Sequence, residues 1–496
     1  MVTQWAAIVR RKVDRGCSPG RQRIDSGLPP MKTLRENDFA YQAVYRYLNQ
    51  LINEPGGNEP VRLPSLRQLA ERLNVSISTI QYAYSLLEKE GRVYSVAKSG
   101  YYARALTPLM TPGSGEDLLE TLCVHARRPD MCVLSHDDPA AVQPLDGPLL
   151  MLERELLRQY PRQSPITTQP CGELELRTVL AARYTTSATR CWHAEDVYIG
   201  ADLRGVLEIL ISVLDLRRAT IVVESPCDWT ILRLLQANDV RVMELPLQAL
   251  GELDTQRLEA LLETEPVRLI LLSSALNMPH GSPVCADNRR IIADLLARRG
   301  TWVLENDCYS ELDERLDGQR LRNWLDPERL LVFSSFEQII GAEAPYGFVL
   351  SRQWRNELHR HFLLRSFRMS PIRQKAIARL YAGGRIDHHL QVLRRLLKER
   401  RTYLIQLLRG RLGETLHIVE PLGGATVWVR SLRAVDMSAV FQRLLKQQVL
   451  IAPGELFSLN GLHAHHLRLS ALGQGDHDLP TVVGMLGDAL RLAPGD

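Results

Sequence analysis

The spacing of apolar residues changes along the chain, and each spacing predicts a different kind of structure. Over residues 39–87, apolar side chains recur at helical intervals, which is typical of short amphipathic helices. Two short runs at residues 93–96 and 101–103 then predict a β-hairpin. From about residue 149, short apolar runs alternate with helical stretches, which predicts a largely parallel sheet covered by helices on both faces.

These patterns, together with the turn residues, divide the chain into segments. Residues 105–145 contain several Pro and Gly residues, with a helical patch near Leu118–His125, and predict a partly ordered linker between two regions of regular pattern. A long helical pattern from about residue 391, followed by further short runs, predicts a smaller α+β subdomain. The expected organisation is a disordered basic arm at 1–35, a helix and hairpin domain at 36–104, a linker at 105–145, a large α/β domain at 146–390 and the smaller subdomain at 391–496.

Helix-start signals refine the prediction for the first domain. Ser65 precedes one apolar helical pattern, and Gln68 follows three residues later, as a capping box requires. Ser76 caps the next helix, whose inner face is predicted to run from Ile77 to Leu87. Three short helices followed by a hairpin predict a winged helix-turn-helix.

Charge is distributed unevenly over these segments. The whole chain has a formal net charge of +4, but residues 1–104 hold 16 Lys and Arg against 9 Asp and Glu. The remainder holds 45 basic against 48 acidic residues. A basic first segment on a mildly acidic body favours a nucleic-acid contact at that end, with an inert basic domain as the alternative. Met31 offers an alternative start that would leave the folded part unchanged.

Other features narrow the class of protein. The 8 cysteines lack C-x-x-C spacing, which is typical of reduced cytoplasmic thiols and favours neither a disulfide framework nor a metal site. No apolar run approaches the roughly 18 residues of a membrane span. We therefore expect a cytoplasmic protein of two or three domains.

Residues 39–104 resemble the winged helix-turn-helix of the GntR family, through Leu63-Pro64-Ser65, Leu69-Ala70 and Val75-Ser76 among other positions. The resemblance implies a double-stranded DNA operator as partner, with short hydroxyls placed for phosphates and an amide for a base edge. Many members have Arg where this chain has Ile77, so a strong guanine contact is missing. For Ser65 and Ser76, helix capping is the alternative role. The candidate DNA-binding residues are Ser65, Arg67, Ser76, Ser78, Thr79, Gln81, Lys98 and Gly100.

Residues 146–490 resemble the fold-type I aminotransferase-like domain of MocR-type regulators. The resemblance is carried by the order of several short motifs, which are Glu224-Ser225-Pro226, Pro279-His280-Gly281, Ser334-Ser335-Phe336, Gly423-Gly424 and Leu467-Arg468-Leu469. It implies a multidomain protein with a small α+β winged-helix domain, an α/β large domain and a smaller α+β C-terminal subdomain.

The resemblance also shows which cofactor groups have changed. Gln338 stands where the family has the lysine that forms a Schiff base with pyridoxal phosphate, and only an amine can do so. Asn306 replaces the aspartate that holds the pyridine nitrogen protonated. The other three exchanges are Met278 for the asparagine at the ring oxygen, Asp202 for a glycine of the phosphate turn, and Pro345 for the phosphate arginine.

Some polar groups of the pocket are retained. Tyr309 aligns with a cofactor-contacting tyrosine, and Arg468 with the arginine that binds substrate carboxylates. Arg204 and Arg468 are therefore candidates for binding a small-molecule effector. A packed aromatic and a structural ion pair are the alternatives for Tyr309 and Arg468.

The leading hypothesis is a DNA-binding transcriptional regulator whose aminotransferase-like domain serves dimerisation and effector sensing without catalysis. No cofactor is expected, with pyridoxal phosphate at most a vestigial, weak non-covalent ligand. Three partners are expected: the DNA operator, a second copy of the chain in a homodimer, and a small-molecule effector. A domain-swapped homodimer, the form that related regulators adopt, is a variant of this expectation. No membrane partner is expected. The alternatives are a pyridoxal-phosphate-dependent transferase and a regulator that senses pyridoxal phosphate.

Overall fold

A computed structural model describes residues 40–53, 63–89, 92–96, 100–103, 118–128, 131–160, 169–248, 251–283, 285–315, 318–365, 369–473, 478–493 and 495. The chain divides into two compact units, residues 1–116 and 117–496, called here the head and the body. The predicted basic arm and Lys98 lie outside the described residues. Of the helices that are described, none has the length and apolar character needed to cross a bilayer.

The head contains the predicted helices and hairpin. Its elements are α1 (Ala40–Asn53), α2 (Leu66–Leu73), α3 (Ile77–Lys89), β1 (Val93–Val96) and β2 (Gly100–Ala103). The predicted capping box is confirmed, because the Ser65 hydroxyl accepts from the Gln68 N–H at 3.3 Å and the Gln68 side chain accepts from the Ser65 N–H at 3.1 Å. β1 and β2 pair antiparallel, as the hairpin prediction requires.

Tyr84 holds the centre of the head. Its ring is buried against Tyr101 of the hairpin, with ring centroids 4.4 Å apart. Its hydroxyl donates to the Pro64 carbonyl at 2.6 Å, which ties α3 to the residues before α2. One side chain therefore links helices and hairpin around a core that includes Leu48, Leu69 and Ile80.

The body alternates strands and helices. The elements of its first part are α4 (Leu118–Ala126), β3 (Cys132–Val133), α5 (Asp146–Gln159), α6 (Leu174–Tyr184), β4 (Val197–Gly200), α7 (Leu203–Val213), β5 (Thr220–Ser225), α8 (Trp229–Ala237), β6 (Arg241–Pro246), α9 (Thr255–Thr264), β7 (Val267–Ser273), β8 (Leu276–Asn277) and β9 (Ser282–Pro283). Those of its second part are α10 (Ala286–Arg299), β10 (Trp302–Asn306), β11 (Leu330–Ser335), α11 (Glu337–Ile340), β12 (Gly347–Ser351), α12 (Arg355–Arg365), α13 (Pro371–Ala382), α14 (Arg385–Leu412), β13 (Leu416–Ile418), β14 (Thr426–Ser431), α15 (Met437–Lys446), β15 (Val449–Leu450), β16 (Ala452–Pro453), β17 (His466–Ser470) and α16 (Leu479–Arg491).

The large sheet of the body has the strand order β4-β12-β11-β10-β7-β5-β6. Its strands pair parallel except β12, which runs antiparallel to both β11 and β4. The prediction of a largely parallel sheet is therefore correct, with one reversed strand inside it. A second, antiparallel sheet has the order β13-β14-β17-β16 and forms the smaller subdomain.

The predicted linker and subdomain boundaries need correction. Of residues 105–145, those from Leu118 onward carry α4 and β3, and β3 pairs with β15 of the smaller subdomain. Met131 and Leu134 are buried in the same core, which explains why this Pro-containing stretch is ordered. The boundary at residue 391 falls inside α14, which packs Leu393 into the core of the large domain and Leu408 into that of the subdomain.

A buried ion cluster lies at the end of β10. Arg322 reaches Glu305 at 3.0 Å and Asp307 at 2.9 Å, and its guanidinium lies over the Tyr184 ring. The Tyr184 hydroxyl donates to the other Asp307 oxygen at 2.6 Å. Burial opposes the charged form, but Arg322 lowers the pKa of Asp307 to about 2. The cluster keeps Asp307 ionised and fixed in place.

Replacing Arg322 should destabilise the body strongly. Arg322→Met leaves two buried carboxylates without their cation, which we expect to cost about 3–5 kcal/mol of unfolding free energy. Lys398→Met is the matched control, since the Lys398 side chain is 64% exposed and its partner Glu314 keeps its pair with Arg401, so the loss should cost at most about 1 kcal/mol. Denaturant unfolding of the full chain, followed by circular dichroism, measures both. Equal effects for the two variants would contradict the role given to the cluster.

Candidate functional site

The exposed surface of the head lies at the start of α3. Ser76 precedes the helix, and its hydroxyl accepts from the Thr79 N–H at 3.1 Å, so Ser76 is the N-cap. The same hydroxyl contacts the Ser78 and Thr79 hydroxyls at 2.8 and 2.7 Å. Ser76, Ser78 and Gln81 are exposed, whereas Thr79 is half-buried. The structure thus brings these predicted residues together on one helix end.

The remaining head residues have separate positions. Arg67 is exposed on the first turn of α2, next to the capping box of Ser65. Gly100 begins β2 with a φ of 115°, a conformation that favours glycine, so its presence is explained by backbone geometry. Ile77 was predicted to lie on the inner face of α3, but it is 48% exposed. That prediction was wrong, because the core of the head is complete from Ile80 onward.

In the body, the ends of several strands bring the predicted cleft residues to one edge of the large sheet. Gly347 of β12 pairs with Gly200 at the end of β4 and with Ser335 at the end of β11. Asn306 ends β10 beside Phe333 of β11. The carboxyl edge of a parallel sheet is the usual place for a ligand site in α/β proteins.

The N-terminus of α7 already holds a carboxylate. Asp202 is the N-cap, and its Oδ1 accepts from the Gly205 N–H at 2.7 Å. A Cβ atom on Gly347 would lie 2.6 Å from Leu203, so only glycine lets β12 approach this helix end. Where the family resemblance places a phosphate, this chain therefore places its own anion.

More negative charge lies around that helix end. Partial burial and the carboxylates of Asp138 and Asp202 raise the pKa of Glu337, against the opposing charge of Arg204. Arg204 is exposed on the first turn of α7. The positive charge of Arg204 therefore acts on Glu337, a carboxylate of the chain itself, which weakens its attraction for an external anion.

Gln338 lies on α11, a single helical turn directly after β11. Its side-chain oxygen is buried and has no hydrogen-bond partner. Among the lysines of the body, Lys375 pairs with Glu173 at 3.0 Å and Lys398 with Glu314 at 3.1 Å, both on other helices. Neither amine takes the place that the resemblance assigns to Gln338.

The residues predicted around a cofactor ring have mostly local contacts. The Asn306 side chain accepts from the Cys308 N–H at 3.2 Å. Asp307 belongs to the buried Arg322 cluster described above. Asn277, beside Met278 on β8, donates to the carbonyl of Gly251, a residue of the loop before α9, at 3.2 Å. These side chains stabilise turns and give the cleft no charged partner for a pyridine nitrogen.

Arg468 is paired inside the chain. It is only 3% exposed, donates to the Ser135 carbonyl at 2.5 Å, and lies 3.8 Å from an Asp137 oxygen. Its guanidinium also lies over the rings of Trp229 and Phe457, at 4.5 and 4.9 Å from their centroids. These contacts match the alternative role of a structural ion-pair partner.

Asp137 is the cleft residue that the sequence analysis missed. Burial raises its pKa, while Arg468 opposes the shift. Burial and the Asp137 and Asp228 carboxylates raise the pKa of Tyr309 well above its ordinary value. The only sequence signal was the acidic pair Asp137-Asp138 inside the predicted linker. Among the described residues, no group of His, Cys, Asp and Glu side chains has the arrangement of a metal site.

Comparison with known proteins agrees with this division into head and body. Residues 40–102 match the model for bacterial regulatory proteins of the gntR family. The HTH-type transcriptional regulator YjiR of Escherichia coli (strain K12) is 26% identical over 448 residues, which cover 87% of this chain and 94% of YjiR. The HTH-type transcriptional regulator YdcR of the same organism is 25% identical over 464 residues, covering 91% of this chain and 99% of YdcR.

Solved structures that resemble the chain include aminotransferases. A multiple substrate aminotransferase from Thermococcus profundus has a TM-score of 0.68 and 20% identity, covering 77% of this chain and 96% of the enzyme. At this identity the likeness establishes the fold of the body and no more. The chain thus combines a head that matches the gntR family model with a body that has the fold of fold-type I aminotransferases, which is the architecture that the resemblance to MocR-type regulators predicts.

Proposed function

We propose that this protein is a DNA-binding transcriptional regulator whose body serves as dimerisation and effector unit without catalysis. The observation that carries the proposal is the gntR-family head, whose α3 presents an exposed polar N-terminus. A helix of this kind enters the major groove in helix-turn-helix proteins, with its first residues at the base edges.

The residues of α3 divide into two kinds of DNA contact. The hydroxyls of Ser76 and Ser78 and the N–H groups at the helix start suit phosphate oxygens. Gln81, one turn further on, suits an adenine edge. The exposed Ile77 side chain has no polar group, but it can pack against the methyl group of thymine. We therefore propose that the operator half-site is read at A·T pairs by Gln81 and Ile77.

The body lacks the groups that pyridoxal phosphate needs. Gln338 has no amine, Asn306 carries no charge, and the Asp202 carboxylate occupies the helix N-terminus that would receive the phosphate. The residues present therefore do not fit this cofactor, and we propose that the body carries out no aminotransferase reaction. The retained fold supplies a scaffold whose pockets can serve sensing.

The homodimer is proposed from exposed apolar side chains on α5. Leu150, Met151 and Leu157 are 45%, 72% and 54% exposed on this helix. Apolar clusters of this kind usually mark a protein interface. A twofold dimer would bring two heads to paired half-sites, as in other helix-turn-helix regulators.

Substitutions in α3 should separate base reading from phosphate binding. On a DNA site selected from a random library, we expect Gln81→Ala to weaken specific binding about tenfold or more, with little change on unrelated DNA. Arg67→Gln should weaken binding to both DNAs and lower the salt dependence by about one counterion. Fluorescence anisotropy measures both effects.

Lys89→Gln is the matched control for Arg67→Gln. Lys89 ends α3, roughly 18 Å from the helix start at the rise of an α-helix, and its loss should change little. The proposal fails if the unmodified full chain shows no sequence preference at moderate salt.

Borohydride reduction tests the absence of cofactor chemistry. After incubation with pyridoxal phosphate and reduction, we expect no single lysine to carry a stoichiometric pyridoxyl group, because Gln338 cannot form the Schiff base and exposed lysines react only partially and without preference. Peptide mass spectrometry of the full chain detects such a group. A stoichiometric pyridoxyl adduct at a single lysine would contradict the proposal. It would support a pyridoxal-phosphate-dependent enzyme or a regulator that senses pyridoxal phosphate.

Charge on α5 should break the dimer. Leu157→Asp places a carboxylate in the proposed apolar interface, and we expect sedimentation to shift from dimer towards monomer. Leu432→Asp, at a residue of the smaller subdomain that is 52% exposed, is the matched control and should leave the dimer intact. An unchanged dimer in Leu157→Asp would place the interface elsewhere.

A further inference from the structure

A second cavity in the body is separate from the cleft described above, which contains Gln338, Asn306 and Asp202. It has a volume of about 270 Å³ and lies between the large domain and the smaller subdomain. Its lining residues are Pro226, Leu247, Gln248, His280, His417, Val419, Trp428, Arg430, His463 and His466. None of the predicted cofactor or effector residues is among them, so the cavity is a distinct feature of this chain.

The lining is rich in imidazole and contains no carboxylate. His280, His417, His463 and His466 come from four separate segments of the chain, and Arg430 is exposed on β14. The nearby carboxylate of Glu244 is buried and engaged elsewhere, because it accepts from the Ser225 hydroxyl at 2.6 Å and from the Leu459 N–H at 2.7 Å. The charged group offered to a ligand is therefore positive.

The histidine rings are held firmly but keep free hydrogen-bonding capacity. His280 Nδ1 contacts the Ser282 hydroxyl at 2.7 Å, and His463 Nε2 contacts the Ser225 hydroxyl at 3.0 Å. The other nitrogen of each ring remains for a ligand. His466 Nδ1 is buried without a hydrogen-bond partner, which is costly unless a ligand or water supplies one.

Burial lowers the pKa of three of these imidazoles, those of His280, His463 and His466, and so favours their neutral form. Burial, together with the neighbouring His463 and His417, lowers the pKa of His280 to about 4. Burial lowers the pKa of His463 to about 4, with Glu244 opposing. Neutral imidazoles both donate and accept hydrogen bonds, so they can bind a carboxylate without placing several positive charges side by side.

The apolar part of the cavity favours a planar ligand. The Trp428 ring stacks on His466 at 5.3 Å and 21°, and His463 meets it edge-on at 5.5 Å. Pro226, Leu247 and Val419 complete the apolar wall. The volume is close to the lower end of the roughly 300–1,000 Å³ found for small-molecule pockets.

We infer that this histidine pocket binds a small organic carboxylate with a planar apolar body. Arg430 and the imidazoles bind the carboxylate group of this ligand. Trp428 and the apolar side chains beside it pack against its ring. Because the lining comes from both parts of the body, such a ligand links the large domain to the smaller subdomain. This inference rests on the proposed function, in which the ligand is the effector. Such a ligand can act by favouring one arrangement of the large domain and the smaller subdomain over another.

Benzoate is a suitable probe for the pocket in the full chain. Isothermal titration should show one site per chain with a Kd at or below about 1 mM, a modest affinity for a ligand of this size. Inorganic phosphate, which has charge but no apolar body, should bind at least about tenfold more weakly, since it leaves the apolar wall uncovered. Equal affinity for phosphate would overturn the assignment of the ligand class.

Paired variants locate the site. Arg430→Gln should weaken benzoate binding about tenfold or more, because a charge-assisted hydrogen bond is lost. His466→Phe keeps a ring on Trp428 but removes both nitrogens, and should weaken binding as well. Arg443→Gln removes the same charge from an exposed position on α15 outside the pocket, and Gln338→Ala alters the cleft; both should bind benzoate normally.

The outcomes also separate this inference from the proposed function. Absence of benzoate binding, or binding that is unchanged in Arg430→Gln and His466→Phe, overturns the inference while leaving DNA binding untouched. If only Gln338→Ala lost benzoate binding, the benzoate site would lie in the cleft, and the inference would also be overturned. Failure of the unmodified chain to prefer any DNA sequence would remove the regulator proposal, whatever benzoate does.

Discussion

The body needs an anion at the carboxyl edge of the large sheet, because α7 begins there. The first N–H groups of this helix have no partner within the helix, and together with the helix dipole they favour a negative charge at that edge. In this chain the anion is the carboxylate of Asp202, bound to the Gly205 N–H. Gly347 keeps β12 close enough to enclose this helix end. Where the resemblance places a bound phosphate, a carboxylate of the chain itself therefore accepts a hydrogen bond from the helix N-terminus.

The same substitution of an internal group for a ligand occurs at Arg468. A buried guanidinium without a partner would be strongly destabilising, and here Ser135 and Asp137 from the segment before α5 provide carbonyl and carboxylate. At both positions where the family resemblance places an anion, a group of the chain itself is therefore present. In the histidine pocket, by contrast, Arg430 is exposed, and it is the positive group that we propose for an external carboxylate.

Much of this organisation is visible in the sequence. Helical periodicity, the Ser65–Gln68 box and the alternation of short apolar runs predicted the head, the sheet and their order along the chain. The linker was drawn too long because its Pro and Gly residues suggested irregular structure, whereas Met131 and Leu134 complete a core formed by residues far along the chain. Ile77 was assigned to the core by periodicity alone, since spacing cannot tell where a small core ends.

The sequence by itself determined the gntR-like head, the helix caps and the presence of Gln338 where the resemblance places the Schiff-base lysine, because each depends on residues adjacent in the chain or on the identity of one side chain. Only the tertiary structure decided the reversal of β12, the pairing of Asp137 with Arg468 and the histidine pocket. Those features join residues separated by as many as 333 positions, as between Ser135 and Arg468, and such contacts leave no periodic trace in either segment.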